Sequence, residues 1–207
     1  MTAVYPEDGG TRFGTWGDRT SLLLYEGVMP LLLSQVELDG VVGDYGGANG
    51  LLRRWVPGAI TVDRDPSKHP DVLDDVVHHT GVYDVVVMRY LLHYLTDTEV
   101  RTMLCTVRTD RVVLVQFTNE GDELTTKRTI SAAAGESPKH LRTLVELVTL
   151  FCGGWTLRTH VQVTYRVHPE FYENRLGVTG APEHGEAVQL MEWTRRHPTE
   201  EHTPPCT

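Results

Sequence analysis

The chain has 207 residues, of which 40% are hydrophobic, and its formal net charge is −9 at pH 7. A chain of this length forms one domain, or one domain with short additions, and can bury a sizeable apolar core. The negative charge argues against broad attraction to the phosphate backbone of nucleic acids, which depends on lysine and arginine, and favours a small-molecule partner.

The N-terminal region predicts a helix over residues 21–35 that is interrupted at Pro30, and we assign residues 1–37 to an N-terminal helical cap. No basic segment followed by a long apolar run opens the chain, and the apolar run over 28–33 is too short to span a bilayer. The three cysteines are widely spaced and predict neither a disulfide framework nor a Cys-x-x-Cys metal site. These features favour a cytoplasmic protein.

Strand-like and helix-like segments then alternate in the manner of a parallel sheet that is covered on both faces. The first strand contains Val41 and Val42, and the others are predicted over residues 59–62, 71–73, 83–88, 111–117, 155–167 and 186–195. Helices are predicted near 51–56, over 96–108 with Asp97 or Thr98 near the start, and from Ser137 to the Gly153-Gly154 stop. The architecture is therefore α/β.

Two of these segments have predicted apolar faces. The helix that starts at Ser137 would bury one stripe of side chains, namely Leu141, Leu144, Val145, Val148 and Phe151. Alternation over residues 155–167 would place one set on the same side of a strand, namely Leu157, Thr159, Val161, Val163 and Tyr165.

A glycine-rich turn follows the first strand in the sequence Asp44-Tyr45-Gly46-Gly47-Ala48-Asn49-Gly50. Gly46 and Gly50 have no Cβ to prevent a sharp turn or the close approach of a ligand, and Ala48 keeps the middle position small. The dinucleotide fingerprint Gly-x-Gly-x-x-Gly is absent from this turn, which disfavours a nicotinamide enzyme. The backbone N–H groups that open the next helix are expected to face a carboxylate or similar group; they belong to Leu51, Leu52 and Trp55.

A second acid, Asp63, ends the next predicted strand 19 residues after Asp44. In nucleotide-binding α/β folds, an acid about 20 residues after the glycine turn accepts hydrogen bonds from ribose hydroxyls. The two signals together predict a site for a nucleoside-containing cofactor.

These segments, together with residues 83–95, resemble the class I S-adenosylmethionine-dependent methyltransferases. The resemblance covers roughly residues 38–117. It implies a Rossmann-like fold with a seven-stranded, mostly parallel sheet, an antiparallel last strand and helices on both faces, which we assign to residues 38–196. It also implies S-adenosyl-L-methionine as the cofactor. The tail over 197–207 is predicted to be disordered.

The resemblance implies which residues hold the methionine part of the cofactor. Gly46, Ala48 and Gly50 would line it, and Asp44 would lie near its amino group. Arg89, which follows the fourth predicted strand, is assigned to the same site. Ala48 departs from the family because a glycine is common at its position.

The resemblance also assigns the ribose and adenine side. Asp63 would hold the ribose hydroxyls, Arg64 would lie beside the adenine, and Asp74 or Asp75 would meet the adenine amino group. The segment from Pro66 to Pro70 departs from the family because it leaves almost no room for the usual helix between the second and third strands.

The segment from Leu92 to Asp97 resembles the Leu-His-x-x-x-Asp segment of small-molecule O-methyltransferases. In the plant-type enzymes of that group, the histidine deprotonates a phenol. We therefore predict that His93 is a general base, and the alternative is a histidine that only packs or forms hydrogen bonds. Glu120 and the pair His78-His79 are weaker candidates.

The ten histidines include no His-x-x-x-His pair with a supporting acid, so the sequence does not indicate a catalytic metal. A basic set is predicted to be a solvated loop and helix face: Lys127, Arg128, Lys139, His140 and Arg142.

The predicted function is methylation of a small molecule, with an oxygen of a hydroxylated secondary metabolite favoured because of His93. Two alternatives stay open: an enzyme that uses the same cofactor for a cyclisation or rearrangement, and a non-catalytic partner subunit, which the short segment from Pro66 to Pro70 supports. Neither nucleic acid nor membrane is expected as a partner, and the sequence leaves open whether the chain forms a homo-oligomer.

Overall fold

The computed structural model describes residues 28–48, 50–118, 120–122, 124–126, 129, 140–167, 179–180 and 184–196. Seven strands of this part form one sheet: β1 (Val42–Tyr45), β2 (Ile60–Asp63), β3 (Val72–Leu73), β4 (Val85–Arg89), β5 (Arg111–Thr118), β6 (Trp155–Val167) and β7 (His184–Arg195). Their order across the sheet is β3-β2-β1-β4-β5-β7-β6.

The pairing directions match the predicted fold class. Strands β1 to β5 pair in parallel, and β7 pairs antiparallel with both β5 and β6. Every side chain of β4 is buried, as expected of a central strand with both faces covered. The prediction of a seven-stranded, mostly parallel sheet with an antiparallel last strand is confirmed.

Helices cover both faces of the sheet, as predicted. One face carries α2 (Asp97–Thr106) and α3 (Leu144–Phe151), whose buried side chains share an apolar cluster with β4, β5 and β7. On the other face, residues 28–33 form α1, and its Met29 and Leu32 pack in a cluster with Val42 and Val85. Burial of these apolar faces stabilises the helices more than their intrinsic propensity does.

Capping boxes define where α2 and α3 begin. Thr96 accepts from the Glu99 N–H group and Glu99 accepts in return from Thr96, and Thr143 and Glu146 repeat the arrangement. The start of α2 near Asp97 was predicted, but α3 begins at Leu144 and not at Ser137, which lies outside the described residues. Gly153 follows the end of α3, as predicted.

Three local predictions are wrong. The helix after the glycine turn is a 3₁₀ turn over Leu51–Arg54. Val145 is 72% exposed, because a helix that starts at Leu144 turns its buried face toward Leu147, Leu150 and Phe151.

The third concerns β6, which has a register shift between Leu157 and Thr159. A bulge inserts one extra residue and reverses the alternation. Leu157 therefore lies opposite Trp193 on the face of α2 and α3, whereas Val161 and Val163 pack on the other face.

Several predictions fall outside the described residues. These include residues 21–27 of the predicted N-terminal helix and the tail over 197–207. In the described part of the chain, no helix has the length and apolar character needed to cross a membrane.

Candidate cofactor-binding site

The glycine turn after β1 has an unusual backbone at three positions. Gly46, Ala48 and Gly50 have φ angles of 65°, 47° and 71°, in the left-handed region that favours glycine. A Cβ on Gly46 would also lie 2.6 Å from Leu91 Cδ1, in the loop after β4. The turn therefore needs glycine at Gly46 for space as well as for conformation, and Ala48 holds its conformation at a cost of about 1 kcal/mol.

Gly47, which was not among the predicted site residues, allows the close approach of Asp44. A Cβ at this residue would lie 2.5 Å from Asp44 Oδ2. Any larger side chain would displace the carboxylate of Asp44. Gly46 therefore leaves space for Leu91, and Gly47 leaves space for Asp44. The feature of the sequence that could have indicated this position is the pair of consecutive glycines, Gly46-Gly47.

Asp44 and Arg89 form a buried ion pair at the ends of the neighbouring strands β1 and β4. Arg89 donates from Nε to Oδ1 at 3.1 Å and from Nη2 to Oδ2 at 2.6 Å, a bidentate arrangement. Burial raises the pKa of Asp44 well above its ordinary value, and the Asp63 carboxylate adds to the rise. Burial lowers the pKa of Arg89 to about 10, so that Arg89 keeps its charge at neutral pH.

This contact changes the expected role of Asp44. Both of its carboxylate oxygens are engaged by Arg89, although the resemblance placed Asp44 near the amino group of a ligand. The ion pair supplies Asp44 with a counter-charge from the protein itself and links the glycine turn to the loop after β4.

Asp63 closes the glycine turn from the end of β2. Its Oδ2 accepts a hydrogen bond from the Ala48 N–H group at 2.9 Å, and its Oδ1 accepts from the Asp65 N–H group at 2.9 Å. Each carboxylate oxygen has two lone pairs, so both oxygens keep the capacity to accept a further bond. The partly exposed Asp63 is thus oriented by two backbone contacts.

The segment after Asp63 is short but ordered by a side-chain cap. Pro66–Lys68 forms a 3₁₀ turn, and Asp65 Oδ1 accepts from the Ser67 N–H group at 2.9 Å. Arg64 is exposed, and its charge is a minor cause of the lowered pKa of Glu99, after the hydrogen bonds with Thr96. Arg64 therefore lies toward the start of α2.

The two candidate acids after β3 have different surroundings. Asp74 Oδ1 accepts from the Asp75 N–H group at 2.8 Å, and its Oδ2 lies 2.7 Å from His79 Nδ1, the contact that contributes most to lowering the pKa of Asp74. Asp75 Oδ1 accepts from the Val77 N–H group at 3.0 Å. Among the described residues the Asp74 carboxylate has two contacts within the protein and the Asp75 carboxylate has one, so Asp75 keeps more lone pairs for a ligand.

His79 belongs to a buried polar chain and not to a solvent-facing loop. Its Nε2 lies 3.0 Å from the Tyr83 hydroxyl, while Nδ1 faces Asp74. Tyr45 packs edge-on against both rings, at centroid distances of 5.6 and 5.8 Å. The hydrogen-bonded series of Asp74, His79 and Tyr83 therefore fixes the loop after β3 against Tyr45, the residue that precedes Gly46.

Of the three backbone N–H groups that were predicted to face a ligand, the one of Trp55 is engaged within the protein. The Trp55 N–H group donates to the Leu52 carbonyl at 2.9 Å, so it does not face a ligand. The predictions for the Leu51 and Leu52 N–H groups, at the start of the same 3₁₀ turn, stay predictions.

His93 lies in a 3₁₀ turn over Leu92–Tyr94, just beyond β4, and is 2% exposed. Its Nδ1 lies 3.2 Å from Gln116 Nε2 in β5. The ring is 3.9 Å from that of Tyr94 and 4.8 Å from that of Phe117, centroid to centroid. These contacts fix the plane of the imidazole.

Arg142 was predicted to be solvated, but it is buried and holds the His93 turn in place. It donates to the Leu92 carbonyl at 2.6 Å, to the Leu95 carbonyl at 2.7 Å and to Asp97 Oδ1 at 2.7 and 2.9 Å. The guanidinium therefore fastens both ends of the turn to the start of α2.

Glu120, the other weak candidate, has a structural contact. Its Oε1 accepts from the Leu144 N–H group at 2.8 Å, at the start of α3. The side chain satisfies one of the free N–H groups of that helix end. In the described part of the chain, no group of three or more His, Cys, Asp or Glu side chains could hold a metal ion.

The structure thus brings most of the predicted residues together at one edge of the sheet. Asp44, Asp63 and Arg89 lie at the carboxyl ends of three strands that are neighbours in the order β2-β1-β4. His93 lies on the β5 side of this group, and Asp75 lies on the β3 side. In open α/β sheets, ligands bind at the carboxyl ends of the strands.

No protein-family model and no curated protein matches the sequence. Solved structures do match. A putative methyltransferase from Bacillus halodurans is 11% identical, with a TM-score of 0.64 over 82% of this chain and 97% of that chain.

Two enzymes of known class are also similar in fold. The N-methyltransferase NodS from Bradyrhizobium japonicum, solved with S-adenosyl-L-homocysteine, is 12% identical, with a TM-score of 0.54 over 87% of this chain and 90% of that one. The mitomycin 7-O-methyltransferase MmcR is 15% identical, with a TM-score of 0.54 over 88% of this chain and 59% of that one. At these identities, the likenesses establish the fold.

Proposed function

We propose that this protein, which has the fold of the class I S-adenosylmethionine-dependent methyltransferases, transfers a methyl group from S-adenosyl-L-methionine to a small molecule. The observation that carries the proposal is the glycine turn held against Asp63 at the carboxyl ends of β1 and β2. Its left-handed backbone and absent side chains form a cradle that a ligand can approach closely.

The residues present fit this cofactor. Gly46, Ala48 and Gly50 would surround its methionine part, and Asp63 would accept from the ribose hydroxyls with the lone pairs that the two backbone contacts leave. We assign the adenine amino group to Asp75. The role of Asp44 would be to fix Arg89 and the turn and not to bind the amino group directly.

For the acceptor, we propose a hydroxylated small molecule, with His93 as the general base. When bound, the cofactor would supply an activated methyl group on a sulfonium, with the sulfur as the leaving group that keeps the electron pair of the carbon–sulfur bond. His93 Nε2 would take the hydroxyl proton, a step to which a placed base contributes about a hundredfold or more. The location of His93 beyond β4, next to β5, supports this role.

Calorimetric binding of S-adenosyl-L-methionine and S-adenosyl-L-homocysteine tests the cofactor assignment. We expect micromolar affinity that Asp63→Ala weakens by ~1–3 kcal/mol, the range for losing hydrogen bonds to a buried polar partner. Asp110→Ala is the matched control, because Asp110 is exposed and precedes β5 at the opposite end of the sheet. Absence of binding by the wild-type protein would overturn the assignment and favour a non-catalytic partner subunit.

A screen of hydroxylated acceptors, read by mass spectrometry, tests the reaction. Methyl transfer adds a single methyl group to the acceptor, whereas a cyclisation or rearrangement leaves a different product mass. If His93→Gln lowers turnover less than about tenfold, the proposed base is wrong. Tight cofactor binding without transfer to any acceptor would favour the non-methylating class of enzyme.

A further inference from the structure

Gln116 in β5 is a buried glutamine with one unsatisfied end. It is 2% exposed, its Nε2 lies 3.2 Å from His93 Nδ1, and its Oε1 has no hydrogen-bond partner. Buried amide oxygens are nearly always paired, since a missing partner leaves the cost of desolvation uncompensated. The side chain therefore calls for an explanation.

Gln189, the cross-strand neighbour of Gln116 in β7, shows what a fixed amide looks like. Its Nε2 donates to Thr118 Oγ1 at 2.8 Å and to Gln162 Oε1 at 3.1 Å, and its Oε1 lies 2.8 Å from His160 Nε2. With partners at both ends, this amide cannot exchange its oxygen and nitrogen without losing contacts. Gln116 has no such restraint, because the one side-chain hydrogen bond that it forms within the described residues is with His93.

The tautomer of His93 decides whether the ring can act as a base. If Gln116 donates to Nδ1, the neutral ring carries its proton on Nε2, and Nε2 cannot accept another. If the amide is rotated by 180°, Oε1 accepts from an Nδ1–H group and Nε2 has its lone pair available. The rotation also gives Oε1 the partner that it otherwise lacks.

We propose that Gln116 is the positioning residue of His93, and that rotation of its amide selects the tautomer in which Nε2 can accept a proton. This inference rests on the proposed function, in which His93 is the general base. After proton uptake both ring nitrogens are donors, and Oε1 then accepts from Nδ1–H and stabilises the imidazolium. Because the Gln116 amide carries no charge, it does not prevent His93 from releasing the proton before the next catalytic cycle.

The test compares Gln116→Met, Gln116→Glu and the matched control Gln189→Met. We expect Gln116→Met to lower kcat about tenfold or more with KM and cofactor affinity nearly unchanged. Gln116→Glu keeps an acceptor at Nδ1 and should restore turnover, with the acidic limb of the pH–rate profile moved upward by about one pH unit or more because of the added negative charge. A purely structural role predicts similar losses in Gln116→Met and Gln189→Met and no change in the pH profile.

A second measurement does not require activity. Long-range ¹H–¹⁵N NMR of the imidazole side chains reports which ring nitrogen is protonated, and the His93 signals are assigned by their loss in His93→Gln. We expect Gln116→Met and Gln116→Glu to change the His93 tautomer populations in opposite directions. His93 signals that are identical in the wild type and both variants would overturn the inference, whether or not methyl transfer is observed.

The two proposals can fail separately. If His93→Gln has no effect on turnover, the proposed base is wrong. The NMR result then still shows whether Gln116 sets the tautomer of His93. If His93→Gln abolishes turnover and Gln116→Met leaves both kcat and the pH profile unchanged, the positioning role of Gln116 alone is wrong.

Discussion

Replacing Arg89 by methionine should destabilise the protein strongly, because it leaves the Asp44 carboxylate buried without a counter-charge. Asp44 is fully buried and Arg89 is 6% exposed, so water cannot replace the lost partner. Breaking a buried pair of this kind costs about 3–5 kcal/mol, a large part of the free energy of unfolding of a typical domain. Asp44→Leu should cost a similar amount, because it leaves the guanidinium unpaired.

The double variant Asp44→Leu/Arg89→Met separates the ion pair from the loss of packing. Replacing both charges by apolar groups of similar volume is often nearly neutral, so we expect the double variant to regain most of either single loss. Urea denaturation of the four proteins measures the coupling. Arg111→Met is the control, since Arg111 is 27% exposed and should cost only about 1 kcal/mol. Single losses that add in the double variant would refute the buried pair.

The destabilisation of Arg89→Met should also depend on pH. Burial raises the pKa of Asp44 above its ordinary value of 3.8, so the folded state binds this proton more tightly than the unfolded state does. The resulting stabilisation is fully present below pH 3.8 and is lost as the pH rises through the folded-state pKa. Arg89→Met also lacks the guanidinium that favours the charged form of Asp44, so its folded-state pKa for Asp44 should lie above that of the wild type. The stability difference between the wild type and Arg89→Met should therefore be smaller at pH 4.5, where Asp44 of the variant is neutral, than at pH 7.5.

Two further changes test the turn and the His93 loop. Ala48→Gly should stabilise the protein by up to about 1 kcal/mol, because glycine adopts the φ of 47° without strain. Ala59 is the control, since it is buried and has no positive φ, and Ala59→Gly should destabilise the protein by about 0.5–1 kcal/mol. If urea denaturation gives both changes the same sign, the backbone of Ala48 is not strained. Arg142→Met should lower turnover by loosening the Leu92–Tyr94 turn while calorimetry shows unchanged cofactor affinity, and equal loss of binding and turnover would contradict a role limited to His93.

The predictable part of the structure came from signals that are local in the chain. The glycine turn, the acid that ends β2 and the valine-rich β4 each depend on a few consecutive residues. The same holds for the start of α2, where Thr96 and Glu99 form a capping box. Alternation of such segments was enough to predict a parallel sheet, whereas the antiparallel last strand was predicted from the family resemblance.

The contacts that the sequence did not reveal join residues that are far apart in the chain. Arg89 and Asp44 are 45 residues apart, and they meet because β4 lies beside β1. Arg142 and Leu92 are 50 residues apart, and the basic residues around Arg142 gave no reason to expect burial. The bulge in β6 shifted a regular alternation by one residue, which no periodicity argument can locate.

The distribution of buried polar groups indicates the site without any reference to resemblance. Strand β4 is apolar until Arg89, and β5 carries apolar side chains from Val112 to Val115 before Gln116. Strand β1 likewise has Val42 near its start and Asp44 near its end. Burying charged and amide groups is unfavourable unless they are paired, so a fold selected for stability alone would fill these positions with apolar side chains. Their concentration at the carboxyl ends of three adjacent strands, with one end of the Gln116 amide left without a hydrogen-bond partner in either orientation, is best explained by a ligand site there.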